Sequence, residues 1–246
     1  MNTPAIEKSG NPSARERLLD AAARLFADRG FNGVSVREIA AEAQVNLGVI
    51  PYYFGTKEKL LQEVFQRLFA PVLDERRVRI KAVFDQCGDK TPDIRLLLRA
   101  ALEPVFRQSR ANDTYRRLAG RSATDPTPEV RRVIDKTYAP SPGSIPKALR
   151  RACPHLSDAE FNWRFFCYHG AVQYVLADVG RIQAIAGKEF DTSKPEEALS
   201  YVIPFLAAGF LAPPVEAPAR AKGKGRRSAS SSAPARSKRS RGSRSS

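Results

Sequence analysis

The residues best suited to chemistry lie in one short N-terminal stretch, and the chemistry they suit is recognition. Arg37 falls on the outward side of a short helical pattern, where a guanidinium can reach the edge of a guanine; a solvated ion pair with Glu38 or Glu42 is its other use. Helix starts at Ser35, Asn46 and Lys57 present backbone N–H groups that suit phosphate. Asn46, Leu47, Gly48 and Val49 bring one amide and otherwise small or apolar surface, which favours thymine methyl contact and close backbone approach over bidentate bonds. Tyr52 fits either a groove contact or core packing beside Phe54. Catalysis finds no comparable set. His155 and His169 are the only histidines and stand outside metal-ligand spacing, and no HExxH, GxSxG, P-loop or GxGxxG pattern occurs. The C-terminal half shows no grouped acid–base residues. Cys87, Cys153 and Cys167 are far apart, without a CxxC or Cys/His cluster, and read as reduced thiols. No enzyme activity, cofactor or metal is expected.

Helices must position the recognition set. Ser13-Ala14-Arg15-Glu16 and Ser35-Val36-Arg37-Glu38 both fit the S-x-x-E capping box, and Asn46 caps a third start with Val45 and Ile50 at staple spacing. These signals predict a first helix from Ala14 to Arg29, ended by Gly30, with Leu18, Ala22, Leu25 and Phe26 inward. A second runs from Ser35 to Ala43 with Val36, Ile39, Ala40 and Ala43 inward, and a third from Asn46 to Phe54 after the turn Gln44-Val45. Two short helices on so tight a turn are the sequence form of a helix-turn-helix. Thr56 then caps a long helix from Lys57, whose apolar positions Leu60, Leu61, Val64, Phe65 and Leu68 repeat at helical spacing and which Pro71 should bend or break. Further starts are read at Thr91-Pro92, Thr127-Pro128 and Ser157, with the last two helices over 157–186 and 194–211. The final helix is apolar nearly all round, which points to burial in a subunit interface.

The fragments Leu18-Leu19-Asp20-Ala21-Ala22, Leu25-Phe26-Ala27, Arg29-Gly30-Phe31, Ser35-Val36-Arg37-Glu38-Ile39-Ala40 and Tyr52-Tyr53-Phe54-Gly55-Thr56-Lys57-Glu58, in that order and spacing, resemble the DNA-binding domain of the TetR family. The resemblance spans about residues 14–69. It implies phosphate contacts from Ser35, Tyr53 and Lys57, so the expected DNA-facing set is Ser35, Arg37, Asn46, Leu47, Gly48, Val49, Tyr52, Tyr53, Thr56 and Lys57. Pro51 departs from the family pattern, in which a Tyr or Asn often precedes the aromatic pair, and it removes a polar contact and one backbone hydrogen bond. The segment Tyr201 to Phe210 is similar to the last helix of regulators whose final two helices form a four-helix dimer interface. Leu68-Phe69-Ala70-Pro71 resembles the fatty-acid-responsive branch, which implies an apolar or acyl effector. Phe106, Tyr115, Trp163, Phe166 and His169, with Phe165 and Tyr168, are candidates to line the effector cavity, core or interface packing being the other role open to each.

The expected architecture is all-α: a disordered N-terminus over 1–12, a three-helix helix-turn-helix domain over 13–56, a helical effector-binding and dimerisation domain over 57–212 and a disordered basic tail over 213–246. With 42% apolar and 27% charged residues the body reads as soluble and globular. Met1 to Asn11 lacks the apolar core of a signal peptide. The stretch Tyr201 to Val215 is shorter than the ~20 residues of a membrane span and is interrupted by Pro204, Pro213 and Pro214, so a cytoplasmic protein with no membrane partner is expected. The net charge is +15, and from Glu216 onward ten Lys or Arg stand against one acid, which suits a polyanionic partner. The tail reads as a nonspecific DNA tether or as a solubilising extension. The expected function is a TetR-type regulator, a homodimeric repressor released from a palindromic double-stranded DNA operator by a small-molecule effector, with activation as the other sign open to it. Two rivals stand beside it: a nucleoid-type architectural protein, which requires equal affinity for every duplex, and a helical enzyme with a relic head, which requires an acid–base cluster.

Overall fold

The structure, a computed structural model, describes residues 12–138, 144–177, 181–187 and 189–215. The disordered terminus expected over 1–12 and the basic tail expected over 213–246 lie outside them, apart from Pro12 and residues 213–215. All regular structure among the described residues is α-helical.

Helix α1 (Ala14–Arg29) begins on a complete capping box: Ser13 Oγ accepts from the Glu16 N–H, and the Glu16 carboxylate accepts from the Ser13 N–H. Gly30, at φ +73°, ends it. Helix α2 (Val36–Glu42) repeats the box with Ser35 and Glu38, and buries Ile39 and Ala40 against α1. It closes in a Schellman arrangement, with the Gln44 N–H on the Ala41 carbonyl and the Val45 N–H on the Ala40 carbonyl. The left-handed position of that motif belongs to Gln44, at φ +54°, a conformation in which an L side chain crowds its own backbone. Gln44 is exposed, so glycine there loses no packing. Gln44→Gly is expected to stabilise the protein by up to about 1 kcal/mol, raising the thermal midpoint by roughly 2–4 °C in a calorimetric scan. An unchanged or lower midpoint would show that the strain is absent.

Helix α3 (Val49–Phe54) starts later than the Asn46 cap suggests. Asn46 does accept from the Gly48 N–H, at 3.0 Å, but the turn it opens is of 3₁₀ type, with Val49 bonded to Asn46 and Ile50 to Leu47. Pro51 is the reason, since it has no N–H to give the Leu47 carbonyl and an α-turn cannot close there. Helix α4 (Lys57–Cys87) is capped by Thr56 and runs about 46 Å unbroken. Pro71 lies inside it without interrupting it, because Phe69 and Val72 on either side are locked into the core.

Helices α5 (Ile94–Ala111), α6 (Asp113–Thr124), α7 (Pro128–Thr137), α8 (Ile145–Ala152), α9 (Asp158–Ala177), α10 (Arg181–Ala186) and α11 (Pro195–Leu211) complete the body. Helix α5 starts at Ile94 and not at Thr91-Pro92, because the Asp93 carboxylate, a better cap, accepts from the Arg95 N–H at 2.8 Å. Of the helix expected over 157–186, α9 and α10 cover Asp158–Ala177 and Arg181–Ala186, and residues 178–180 lie outside the described residues. Helix α5 is the central rod, packed against α4 and α11, while α6 bridges α1 and α9. Stacked Phe65 and Phe69, with Tyr115 4.6 Å beyond Phe69, join α4 to α6. Among the described residues no helix is long and apolar enough to cross a membrane.

Candidate nucleic-acid interface and effector cavity

The ten residues expected to face DNA lie on four consecutive short segments: the cap and first turn of α2, the α2–α3 turn, α3, and the cap and first residue of α4. Ser35, Arg37, Asn46, Leu47, Gly48, Tyr52, Tyr53 and Thr56 are exposed, and Val49 and Lys57 are half-buried. Tyr52 is 82% exposed, so of its two roles core packing is the one the structure does not place; its ring meets Tyr53 at 5.1 Å. Beneath this surface Ile39, Ile50, Phe54, Leu60 and Leu61 form the floor that holds it.

Ion pairing within the head leaves Arg37 available. Arg29 of α1 takes Glu38 at 2.6 Å and Arg24 takes Glu42 at 3.1 Å. The two carboxylates that could have neutralised Arg37 are therefore engaged, and among the described residues Arg37 makes no ion pair. The Glu38 carboxyl is pulled down to about 2, first by the Ser35 hydroxyl, then by the Ser35 N–H and by Arg29, so it stays ionised and locked to its cap. The Asn46 side-chain oxygen is occupied by the Gly48 N–H, leaving its NH₂ to donate outward. Lys57 stands with its Nζ 4.2 Å from the Phe31 ring centroid, and desolvation lowers its pKa from the usual value. Arg37→Ala is expected to cost about 1–3 kcal/mol of operator binding and relax preference at one base pair, whereas Lys57→Ala weakens all duplexes alike and lowers the salt slope by about one. Titrations at several salt concentrations against cognate and scrambled DNA separate the two; identical behaviour of the variants would remove the assigned roles.

A cavity of about 730 Å³ opens in the helical body between α4, α6, α7 and α9. Of the aromatic candidates, Tyr115, Phe165, Tyr168 and His169 line it. Phe106 does not: it is fully buried on α5. Trp163 and Phe166 do not either; they are 70% exposed on the outer side of α9 and pack edge to face on each other. Desolvation raises the Tyr115 and Tyr168 phenols and lowers the His169 imidazole, which Arg76 lowers further. Sequence reasoning missed Arg76 and Tyr138 in the wall. A signal for Arg76 existed, since it sits at helical spacing between buried Val72 and Ile80, a charge within an apolar stripe.

Arginine contacts tie the cavity helices to the head. Arg121 of α6 donates to the Ala27 and Asp28 carbonyls at the end of α1, at 3.1 and 2.7 Å. Arg132 of α7 holds Glu58, next to Lys57, through two bonds of 3.0 and 2.8 Å. Trp163, Phe166 and Tyr174 of α9 and Tyr201 and Phe205 of α11 leave large aromatic surface exposed.

Residues 18–64 match the model for bacterial regulatory proteins of the tetR family, and residues 95–209 match the tetracyclin repressor-like C-terminal domain. The HTH-type transcriptional repressor Rv3405c of Mycobacterium tuberculosis is 29% identical over 176 residues, covering 66% of this chain and 80% of its own. The HTH-type transcriptional regulator BetI of Rhizobium meliloti is 32% identical over 151 residues, 61% of this chain and 70% of BetI. The fold is shared with the transcriptional regulator FadR from Bacillus subtilis, solved in complex with stearoyl-CoA, at a TM-score of 0.53 and 16% identity over 78% of this chain and 97% of that one. With an exposed helix-turn-helix at one end and a helical cavity domain behind it, the chain belongs to the TetR family of DNA-binding transcriptional regulators.

Proposed function

We propose that the protein is a homodimeric repressor, acting in the cytoplasm, that grips a palindromic operator with two helix-turn-helix heads and releases it when a small apolar or acyl molecule fills the cavity. The observation that carries the reading is Arg37, exposed and without an ion-pair partner among the described residues, beside an exposed α2–α3 turn. Pairing of α9 and α11 with their copies would cover the exposed aromatic rings and fix the distance between heads. The stearoyl-CoA bound by FadR supports an acyl class of effector. Helix α6 supports the coupling: Tyr115, Ala119 and Ser122 face the cavity while Arg121 grips α1, so a ligand that displaces α6 shifts the head with it.

Selection of bound sequences from random duplex DNA tests the reading, using the full chain and a chain ending at residue 215. A palindromic consensus from both is expected. Equal retention of all duplexes, lost with the tail, would replace it with the architectural reading.

A further inference from the structure

The cavity wall is apolar over much of its extent but holds one half-buried cation that no carboxylate balances; Arg131 and Lys136, which also line it without an ion pair among the described residues, are exposed. Arg76 lines it from α4, half-buried, and its Nε donates 3.0 Å to the Ala101 carbonyl on α5, which fixes the guanidinium in place. The nearest carboxylate in sequence that also lines the cavity, Asp74, is taken by Arg77. Asp135, the other carboxylate in the wall, is exposed and makes no ion pair with Arg76. Among the described residues Arg76 has no ion-pair partner. Around it stand the Tyr115, Tyr138 and Tyr168 phenols and the His169 ring, all in the wall and all within reach of its charge. An oriented guanidinium without a counter-ion, flanked by phenols in a partly dry cavity, is a receptor for a planar anion. A volume of about 730 Å³ falls in the range of about 300–1,000 Å³ usual for small-molecule sites.

We propose that the cavity binds an amphipathic organic carboxylate, its carboxylate on the Arg76 guanidinium and its apolar body against Leu73, Val105, Ile134, Phe165 and Val172. The proposal rests on the reading of the cavity as the effector site and narrows the effector to a free acid. Burial keeps Tyr115 and Tyr168 protonated, so each phenol can donate to the anion.

The test uses the full chain with decanoate and phenylacetate against decanol, decanamide, decylamine and decanoyl-CoA, read by thermal unfolding and by release of a selected operator. Decanoate or phenylacetate is expected to raise the unfolding midpoint and release DNA at concentrations about tenfold or more below the neutral analogues. Arg76→Gln should bind acid and amide alike. Because Arg76 also holds the Ala101 carbonyl, Arg76→Lys, which keeps a cation and donors, provides a folded control that retains the preference for acids. Equal potency of decanoate and decanamide, action by decanoyl-CoA alone, or no response to any probe overturns the proposal. Failure of the chain to recognise any operator would sink the regulator reading instead, and the unfolding midpoint would still report on the acid.

Discussion

Phe205→Glu is expected to yield a folded monomer whose affinity for a two-half-site operator falls by a factor on the order of 10²–10⁴, the loss that follows when two linked contacts become one. The side chain is 71% exposed on α11, so its replacement removes little from the core, and far-ultraviolet circular dichroism should be unchanged. Two copies of the α9 and α11 face would bring Phe205 and Tyr201 against their partners, and a glutamate inserted there would have to shed its water among aromatic rings. Sedimentation velocity reads the subunit state, and titration of whole and half operators reads the DNA effect. A variant that stays dimeric, or a monomer that keeps full affinity for the whole operator, would show that the pairing surface lies elsewhere.

Arg164→Ala is expected to destabilise the protein by about 3–5 kcal/mol. Arg164 of α9 gathers the end of α11: its Nη1 donates to the Gly209, Phe210 and Ala212 carbonyls at 2.9, 3.0 and 2.7 Å, and its Nη2 donates to Pro213 at 2.9 Å and to Glu160 at 2.6 Å. Both charged side chains are largely covered, at 14% and 15% exposure, so loss of the guanidinium strips a mostly buried carboxylate of its cation while leaving helix-end carbonyls to find water. Urea unfolding measures the cost. A double replacement, Arg164→Met with Glu160→Leu, should recover part of it, since it removes the desolvated carboxylate together with the guanidinium. A single substitution costing under about 1 kcal/mol would mean that the cap contributes nothing beyond an exposed ion pair.

The head was legible because its information is local. Each capping box is a four-residue pattern, and the boxes at Ser13 and Ser35 fixed the starts of α1 and α2 without any tertiary contact. The misplaced start of α3 is also local physics, a missing Pro51 N–H whose effect reaches back to Leu47. The cavity was harder to read because α9 is aromatic on nearly every side: Phe161, Trp163, Phe165, Phe166 and Tyr168 leave no polar face to mark which direction is outward. Only packing against α6 and α11 decides that His169 turns to the cavity while Trp163 turns away. Phe106 was indistinguishable from a ligand-lining ring for the same reason, since its burial is set by tertiary packing of α4, α6, α8 and α11 on α5.

Helix α4 has a further implication for how reader and sensor can be separated. Its first turns seat Leu60 and Leu61 under the recognition surface, and the same unbroken rod carries Arg76 into the cavity wall. Cutting the chain after Thr56 would therefore strip the DNA-reading piece of its own underside, and no severed fragment should report the grip of the whole. Occupancy at one end and grip at the other are two readings of a single beam, which makes graded loosening by partial ligands as natural an outcome as all-or-none release.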